Sequence, residues 1–127
     1  MTQASSRAYA VRARSTETFG RVLCSARDQH LISDGPPQNG CPGEAIGPAE
    51  LFLSGVAACA VELVQVLARE HDLPLRGVCA SIEGNTGDPS AAARPDVSLF
   101  SSVRLRFELA GLSQEQATEL VERFKRR

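Results

Sequence analysis

The stretch that decides the fold is PAELFLSGVAACAVELVQVLA, residues 48–68. Pro48 suits the first position of a helix, because the N–H that proline lacks has no helical partner there. Glu50 in the first turn is favoured by the helix dipole. Beyond that turn almost every residue is apolar, with Glu62 and Gln65 as the main interruptions. A helix that is apolar on nearly every side is buried on nearly every side. A chain of 127 residues can hardly bury this helix alone, so we predict a homodimer.

Alternating and apolar segments on either side of this helix predict short strands. They lie at residues 9–14, 20–26, 30–33, 77–83 and 101–109. The predicted inward face of the last strand is Val103, Leu105, Phe107 and Leu109. The first three strands are followed by a Gly- and Pro-rich loop at residues 34–47, and a flexible turn region is predicted at residues 84–96.

A capping box, Ser113 to Gln116, opens a second helix. Its pattern indicates that this helix is cut short at Arg127. The predicted order is therefore βββ-α-ββ-α. Strands and helices are partly segregated, which favours an α+β fold over a parallel α/β fold. We expect a single domain over residues 1–127.

Composition excludes several classes of partner. Hydrophobic residues make up 43% of the chain and charged residues 23%, which argues against disorder. The formal net charge of −1 gives no electrostatic case for nucleic acid or an anionic membrane. The beginning of the chain lacks a secretory signal, and the uncharged apolar run at residues 51–61 is shorter than the ~20 residues of a membrane span. We therefore expect a cytoplasmic protein.

The four cysteines differ in what surrounds them. None forms a CxxC pair, and neither histidine lies at metal-ligand spacing from them, so no metal site is predicted. Cys24 alternates with apolar neighbours on a strand and is interpreted as a small core residue. Cys79 lies on the opposite face of its strand from Val78, and Cys41 lies in the Gly- and Pro-rich loop. Cys59 lies among small residues in the long helix, and a cation from elsewhere would have to activate it.

The block GPAELFLSGVAAC, residues 47–59, resembles the Pro-x-Glu-Leu…Ala-Ala-Cys signature of the OsmC/Ohr family, the osmotically inducible and organic hydroperoxide resistance proteins. The DGPPQNG loop before it, the LPLRGV segment at residues 73–78 and the order of elements agree with this family. The resemblance implies a two-layer OsmC-like fold. In that fold an intertwined homodimer wraps two long central helices.

The resemblance also implies a chemistry, in which Cys59 is the peroxidatic cysteine of a thiol-dependent peroxidase. Its thiolate would reduce an organic hydroperoxide and become a sulfenic acid, in defence against oxidative or osmotic stress. The family needs no cofactor and is recharged by a dithiol reductant, such as a lipoylated protein. Its second cysteine, in a Cys-Pro motif late in the last helix, would fall at or just beyond Arg127, and no cysteine follows Cys79 in this sequence. A truncated chain, a one-cysteine variant and a loss of activity are therefore all open. The loop residue Cys41 could replace that second cysteine as the resolving cysteine.

Two further family residues are displaced or unassigned. The catalytic Glu ten positions before the reactive cysteine is Ala49 in this chain, with Glu50 beside it as the tentative substitute. The activating Arg comes from the N-terminal strands, where Arg14 and Arg21 are the tentative candidates.

Three functions therefore remain open on the sequence. The first is the peroxidase. The second is a catalytically impaired OsmC-like dimer that binds a small apolar ligand, which the loss of the Glu and of the second cysteine favours. The third is an obligate structural dimer. Labelling of the thiol near neutral pH separates them, because a structural Cys59 would react only on unfolding.

Overall fold

The computed structural model describes residues 6–86 and 100–127. Within them the elements follow the order βββ-α-ββ-α, which confirms the predicted α+β class. They are β1 (Arg12–Ser15), β2 (Arg21–Ala26), β3 (Gln29–Asp34), α1 (Pro48–Glu70), β4 (Gly77–Asn85), β5 (Ser102–Ala110) and α2 (Gln114–Lys125). The chain divides into two compact units, Met1–Leu51 and Phe52–Arg127.

The first unit is built on an antiparallel sheet in the order β1-β2-β3. A two-residue turn, Arg27 and Asp28, joins β2 to β3, with Ala26 opposite Gln29. Strand β1 begins at Arg12, opposite Ser25, and not at residue 9 as predicted. Earlier residues would extend past the end of the hairpin and have no strand to pair with, and Tyr9 is 83% exposed.

The loop after β3 is held in place by hydrogen bonds to the end of that strand. The backbone N–H of Asp34 donates to the carbonyl of Ile46 at 3.2 Å, and the Ser33 hydroxyl donates to the same carbonyl at 3.0 Å. A short 3-10 turn, Pro37–Asn39, lies inside the loop. These bonds bring residue 46 back beside the strand end, directly before α1 begins.

Helix α1 begins at Pro48, as predicted, and ends at Glu70. Its buried residues are Ala60, Val64, Leu67 and Ala68. The N-terminal half is much more open, since Phe52 is 62% and Val56 is 41% exposed. Burial on nearly every side is therefore not achieved within one chain. By length and composition alone, α1 is also long and apolar enough to cross a membrane, which corrects the estimate from residues 51–61.

The second unit packs α1 against the β4–β5 hairpin and α2. Val64, Leu67, Ala68 and Leu120 form its buried centre. Phe107 of β5 and Phe124 of α2 meet edge to face, with 5.0 Å between ring centroids. Partly buried hydrophobic residues surround this centre: Leu63, Leu73, Leu75, Val78, Phe107, Leu109, Leu112 and Phe124.

The second unit confirms the predicted capping box and differs from the sequence predictions at Val103 and Gly84. The capping box is confirmed, because the Ser113 hydroxyl accepts from the Gln116 N–H and the Gln116 side chain accepts from the Ser113 N–H. Val103 was predicted to face inward but is 49% exposed, since it pairs with Gly84, one pair from the end of the hairpin at which the chain connects the two strands. Gly84 itself belongs to β4. The rest of the predicted turn region, from residue 87 onward, lies outside the described residues.

Candidate active site

Cys59 lies on an apolar groove in the second unit. The groove has a volume of about 540 Å³, and its thiol-bearing residue is exposed to solvent. The other lining residues are Phe52, Gly55, Val56, Ala60, Leu63, Leu105 and Phe124. All of them are apolar or glycine, so the thiol is the reactive group of this set. A cation that stabilises its thiolate would have to come from outside the lining residues.

The local sequence explains why this thiol is accessible. Gly55 lies one turn before Cys59 and carries no side chain, and a Cβ built on it would meet nothing within 4 Å. Ala60, the next residue after Cys59, is small and buried. Phe52, which lies at the rim, stacks on Phe100 with 5.9 Å between ring centroids. The small residues leave room in front of the thiol, while the aromatic rings extend the apolar wall.

A cluster of charged side chains is centred on Arg21 in the first unit. The Arg21 guanidinium binds Asp34 in a bidentate fashion, through Nε to Oδ1 at 2.8 Å and Nη2 to Oδ2 at 2.9 Å. Nη2 also donates to Oε1 of Glu44 at 2.9 Å. The backbone N–H groups of Glu44 and Ala45 donate to Oδ2 of Asp34 at 2.9 and 3.0 Å.

The hydrogen bonds of this cluster favour the ionised forms of Asp34 and Arg21. The Asp34 side chain is 0% exposed, and the burial of a carboxylate is tolerated because its oxygens are fully supplied with donors. Hydrogen bonding to Arg21 is the main reason why the pKa of Asp34 falls from 3.8 to about 2, with the Glu44 and Ala45 N–H groups adding to it. Hydrogen bonding to Asp34, followed by that to Glu44, raises the pKa of Arg21. Arg21 is therefore a permanent, fixed cation.

Glu50 has a structural partner. Its Oε1 accepts a hydrogen bond from the Gly47 N–H at 2.8 Å, and the Leu51 N–H donates to the Gly47 carbonyl at 2.8 Å. Gly47 therefore caps α1, and Glu50 satisfies one of the donors left open at a helix start. In the described residues Arg21 pairs with Asp34 and Glu44 and forms no ion pair with Glu50.

The other tentative residues lie elsewhere in the first unit. Arg14 lies on β1, where it is exposed and pairs with Leu23 of β2. Cys41 is seated between two glycines, because a Cβ built on Gly35 would come 2.5 Å from its Sγ and one on Gly20 would clash as well. Gly20 also has a positive φ of 81°. The resolving role of Cys41 stays a prediction.

Cys24 and Cys79 match their interpretations in part. Cys24 is half-buried and Cys79 is exposed. Cys79 pairs with Glu108 across the hairpin, on the face opposite the core residues Val78 and Phe107. Cys59 is therefore an exposed cysteine that lines an apolar groove, and Cys79 is an exposed cysteine on the hairpin face opposite the core.

The sequence patterns missed two members of the Arg21 cluster. A signal for Asp34 was available, since a turn at residues 27 and 28 places residue 34 opposite residue 21 in a regular hairpin. No comparable signal marks Glu44, which is brought to Arg21 by the path of a loop.

The OsmC-like protein family model matches residues 41–127 of the chain. The chain belongs to this family. None of the curated protein sequences matches it. Among solved structures, an OsmC-like protein from Mycoplasma pneumoniae has 16% sequence identity and a TM-score of 0.79, with coverage of 97% of this chain and 84% of that chain.

Two other structures carry names that refer to hydroperoxides. The organic hydroperoxide resistance protein OsmC from Legionella pneumophila has 24% identity and a TM-score of 0.70, and covers 95% of this chain and 84% of that chain. The organic hydroperoxide resistance protein OhrB of Bacillus subtilis has 22% identity and a TM-score of 0.61, with coverage of 93% and 83%. At these identities the likeness shows the OsmC-like fold, which confirms the predicted architecture of the chain.

Proposed function

We propose that this OsmC-like protein is a thiol-dependent peroxidase that reduces organic hydroperoxides at Cys59 as part of cytoplasmic stress defence. The observation that carries the proposal is an exposed thiol on the wall of an apolar groove of about 540 Å³. The names of the Legionella and Bacillus proteins support a role in peroxide stress. The fold places the cysteine on a rigid helix, as a positioned nucleophile requires.

The reaction is a two-electron oxidation of sulfur. The Cys59 thiolate attacks the distal oxygen of the hydroperoxide, an S–O bond forms, and the O–O bond breaks. The alkoxide leaves and takes a proton to become an alcohol, while Cys59 is left as a sulfenic acid. A dithiol such as a lipoylated protein then reduces it, giving back the thiol, one water molecule and the oxidised disulfide of the donor. If Cys41 resolves the sulfenic acid, it forms an intramolecular disulfide with Cys59, and the dithiol then reduces that disulfide.

The groove determines the class of hydroperoxide. Because its lining is apolar, a substrate with an alkyl or aryl tail gains from burial of that tail, whereas hydrogen peroxide has nothing to bury. Phe52 and Phe124 widen the apolar wall on which an aryl group can pack. We therefore expect cumene hydroperoxide to be a better substrate than hydrogen peroxide.

Arg21 is the cation that we assign to activation. Asp34 and Glu44 hold its guanidinium in a fixed orientation, and a fixed cation is the kind of group that activates a cysteine nucleophile. In this proposal Glu50 has a structural role, because it accepts the Gly47 N–H at the start of α1. Arg14 remains the alternative cation.

A second copy of the chain completes the structure in this proposal. The exposed N-terminal half of α1, with Phe52 at 62% and Val56 at 41% exposure, is too apolar to face water. The other half of α1 packs on Leu120 and the hairpin, which is the packing of a soluble core helix and not of a membrane span. We therefore propose a cytoplasmic homodimer that covers the open half of α1. Sedimentation equilibrium would give twice the chain mass, and a monomer at micromolar concentration would contradict it.

The alternative is a dimer that binds a small apolar ligand without turnover. Ala49 replaces the family Glu, and two of the three guanidinium nitrogens of Arg21, Nε and Nη2, are already engaged by carboxylates. In that case the groove binds the ligand and Cys59 takes no part in a reaction.

One experiment separates the two functions. Consumption of cumene hydroperoxide with dithiothreitol is measured for wild type, Cys59→Ser and Cys79→Ser. Cys79→Ser is the matched control, because it removes another exposed thiol from the same unit. The peroxidase requires turnover in wild type and in Cys79→Ser and none in Cys59→Ser. Absence of turnover in all three, with saturable binding of cumene hydroperoxide, would establish the binding protein instead.

A further inference from the structure

A basic groove lies on one face of the β1–β2–β3 sheet, and neither Arg21 nor Asp34 is among its lining residues. Its volume is about 310 Å³. The lining residues are Arg12, Arg14, Leu23, Ser25, Arg27 and His30. The strand register explains why they share a face. Arg12 lies opposite Ser25, and Ser25 lies opposite His30, so these three side chains form one row across the sheet.

The charges in this groove are not compensated locally. Within the described residues none of the three lining arginines forms an ion pair with a carboxylate, whereas Arg21 on the same sheet has two acidic partners. The lining set contains three guanidinium groups and an imidazole and no acidic side chain. The chain as a whole carries a net charge of −1, so this concentration of positive charge is a local feature.

Two polar side chains in the lining of the groove are hydrogen-bonded to each other. The Ser25 Oγ lies 2.7 Å from Nδ1 of His30, which fixes the orientation of the imidazole ring on the sheet face. The arginines on β1 and in the turn approach the same space from two sides. A group that accepts several hydrogen bonds from different directions would satisfy this arrangement better than a planar, singly charged group.

Arg27 adds an independent observation. It is the first of the two central residues of the hairpin turn, and its φ is 57°. That conformation favours glycine or asparagine, and arginine is an unfavourable choice there. Arg27 thus combines an unfavourable backbone conformation with a place in the lining of a basic groove, and unfavourable conformations of this kind cluster at ligand sites.

We propose that this groove binds the phosphate group of a phosphomonoester. Phosphate has three acceptor oxygens and carries up to two negative charges, and arginine is the preferred residue for bidentate recognition of such groups. Arg12 and Arg27 provide the charge, and Ser25 and His30 complete the donor set. The proposal uses neither Cys59 nor the apolar groove, and the variants that test it leave Arg14 and Arg21 unchanged.

The test is an amide NMR titration of the full chain with inorganic phosphate and with glycerol 3-phosphate. We expect saturable shifts centred on Ser25, Arg27 and His30 and no comparable response to acetate at equal ionic strength. The variants are Arg12→Gln and Arg27→Gly, alone and combined. Each loss of a guanidinium should weaken phosphate binding by about tenfold.

Arg27→Gly separates binding from folding. Glycine suits the positive φ of the turn, so this variant should keep or raise Tm while it loses affinity for phosphate. The matched control is Arg104→Gln, which removes one exposed arginine from the β4–β5 hairpin. Equal weakening in the control would mean a general charge effect and would overturn the site.

An experiment with lipid vesicles decides whether the phosphate group belongs to a lipid headgroup or to a soluble ligand. Phosphatidylcholine vesicles with and without phosphatidic acid are sedimented with wild type and with the double variant. Binding that needs both phosphatidic acid and the arginines supports the site with a lipid headgroup as ligand. Saturable binding of glycerol 3-phosphate without sedimentation supports it with a soluble ligand. No saturable response to either form, or an equal response to acetate, would refute the proposal.

Discussion

Leu120 is the residue whose removal should most disturb the second unit. It is 0% exposed and contacts Val64, Leu67 and Ala68 of α1 in the buried centre. Leu120→Ala leaves a cavity between two helices that cannot easily collapse, so we expect a loss of about 3 kcal/mol in the free energy of unfolding. At about 2.1 cal/mol/K for each of the 127 residues, this loss lowers Tm by about 11 °C.

The assay is thermal unfolding followed by circular dichroism at one fixed protein concentration, because Tm of a dimer depends on concentration. Val103→Ala is the control, since Val103 is a large apolar residue on the same unit but is 49% exposed. We expect its Tm to fall by less than about 3 °C. If Leu120→Ala lowered Tm no more than Val103→Ala does, α2 would not be packed on α1 through Leu120, and the proposed core would be wrong.

Three further predictions concern the loop, the last helix and the groove. The pKa of Asp34 is lowered from 3.8 to about 2 in the folded protein. Its contribution to stability is therefore complete above pH 3.8 and is lost as the pH falls through about 2. Urea unfolding of Asp34→Asn should show a deficit relative to wild type at pH 7 that disappears toward pH 2; a constant deficit would contradict the ion pair. Ser113→Ala removes the hydroxyl that accepts the Gln116 N–H at 3.1 Å, so Tm should fall by about 4 °C, the equivalent of about 1 kcal/mol, while a change equal to that of Ser102→Ala would exclude the cap. Val56→Asn places an amide in the apolar groove and should raise KM for cumene hydroperoxide by about tenfold, with KM for hydrogen peroxide nearly unchanged; equal changes for both would rule out apolar recognition.

Local patterns predicted the helices of this protein well. The start of α1 at Pro48 and the capping box at Ser113 depend on residues within a few positions of each other, so the sequence shows them directly. The exposure along α1 could not be read in the same way. An apolar surface has the same sequence signature when it packs on its own chain as when it packs on another, and only the C-terminal half of α1 is buried within this chain.

The sites depend on long-range geometry and were predicted only in part. Cys59 was identified from the sequence, but the groove beside it takes Leu105 and Phe124 from distant elements. Arg21 was named as a candidate, whereas its partners Asp34 and Glu44 were not. The Asp34 pairing follows from strand register once the turn is placed. The Glu44 pairing follows from a loop path that no local pattern encodes.

The most direct test of the central claim is to trap the oxidised sulfur. Wild type in the absence of reductant is treated with one equivalent of cumene hydroperoxide and then with dimedone, which labels sulfenic acids, and the labelled residue is located by peptide mass spectrometry. The peroxidase requires rapid labelling of Cys59, with little at Cys79 although both thiols are exposed. A Cys41–Cys59 disulfide in place of the label would also support it and would identify the resolving cysteine. An unmodified Cys59, or labelling of Cys79 at the same rate, would contradict the account.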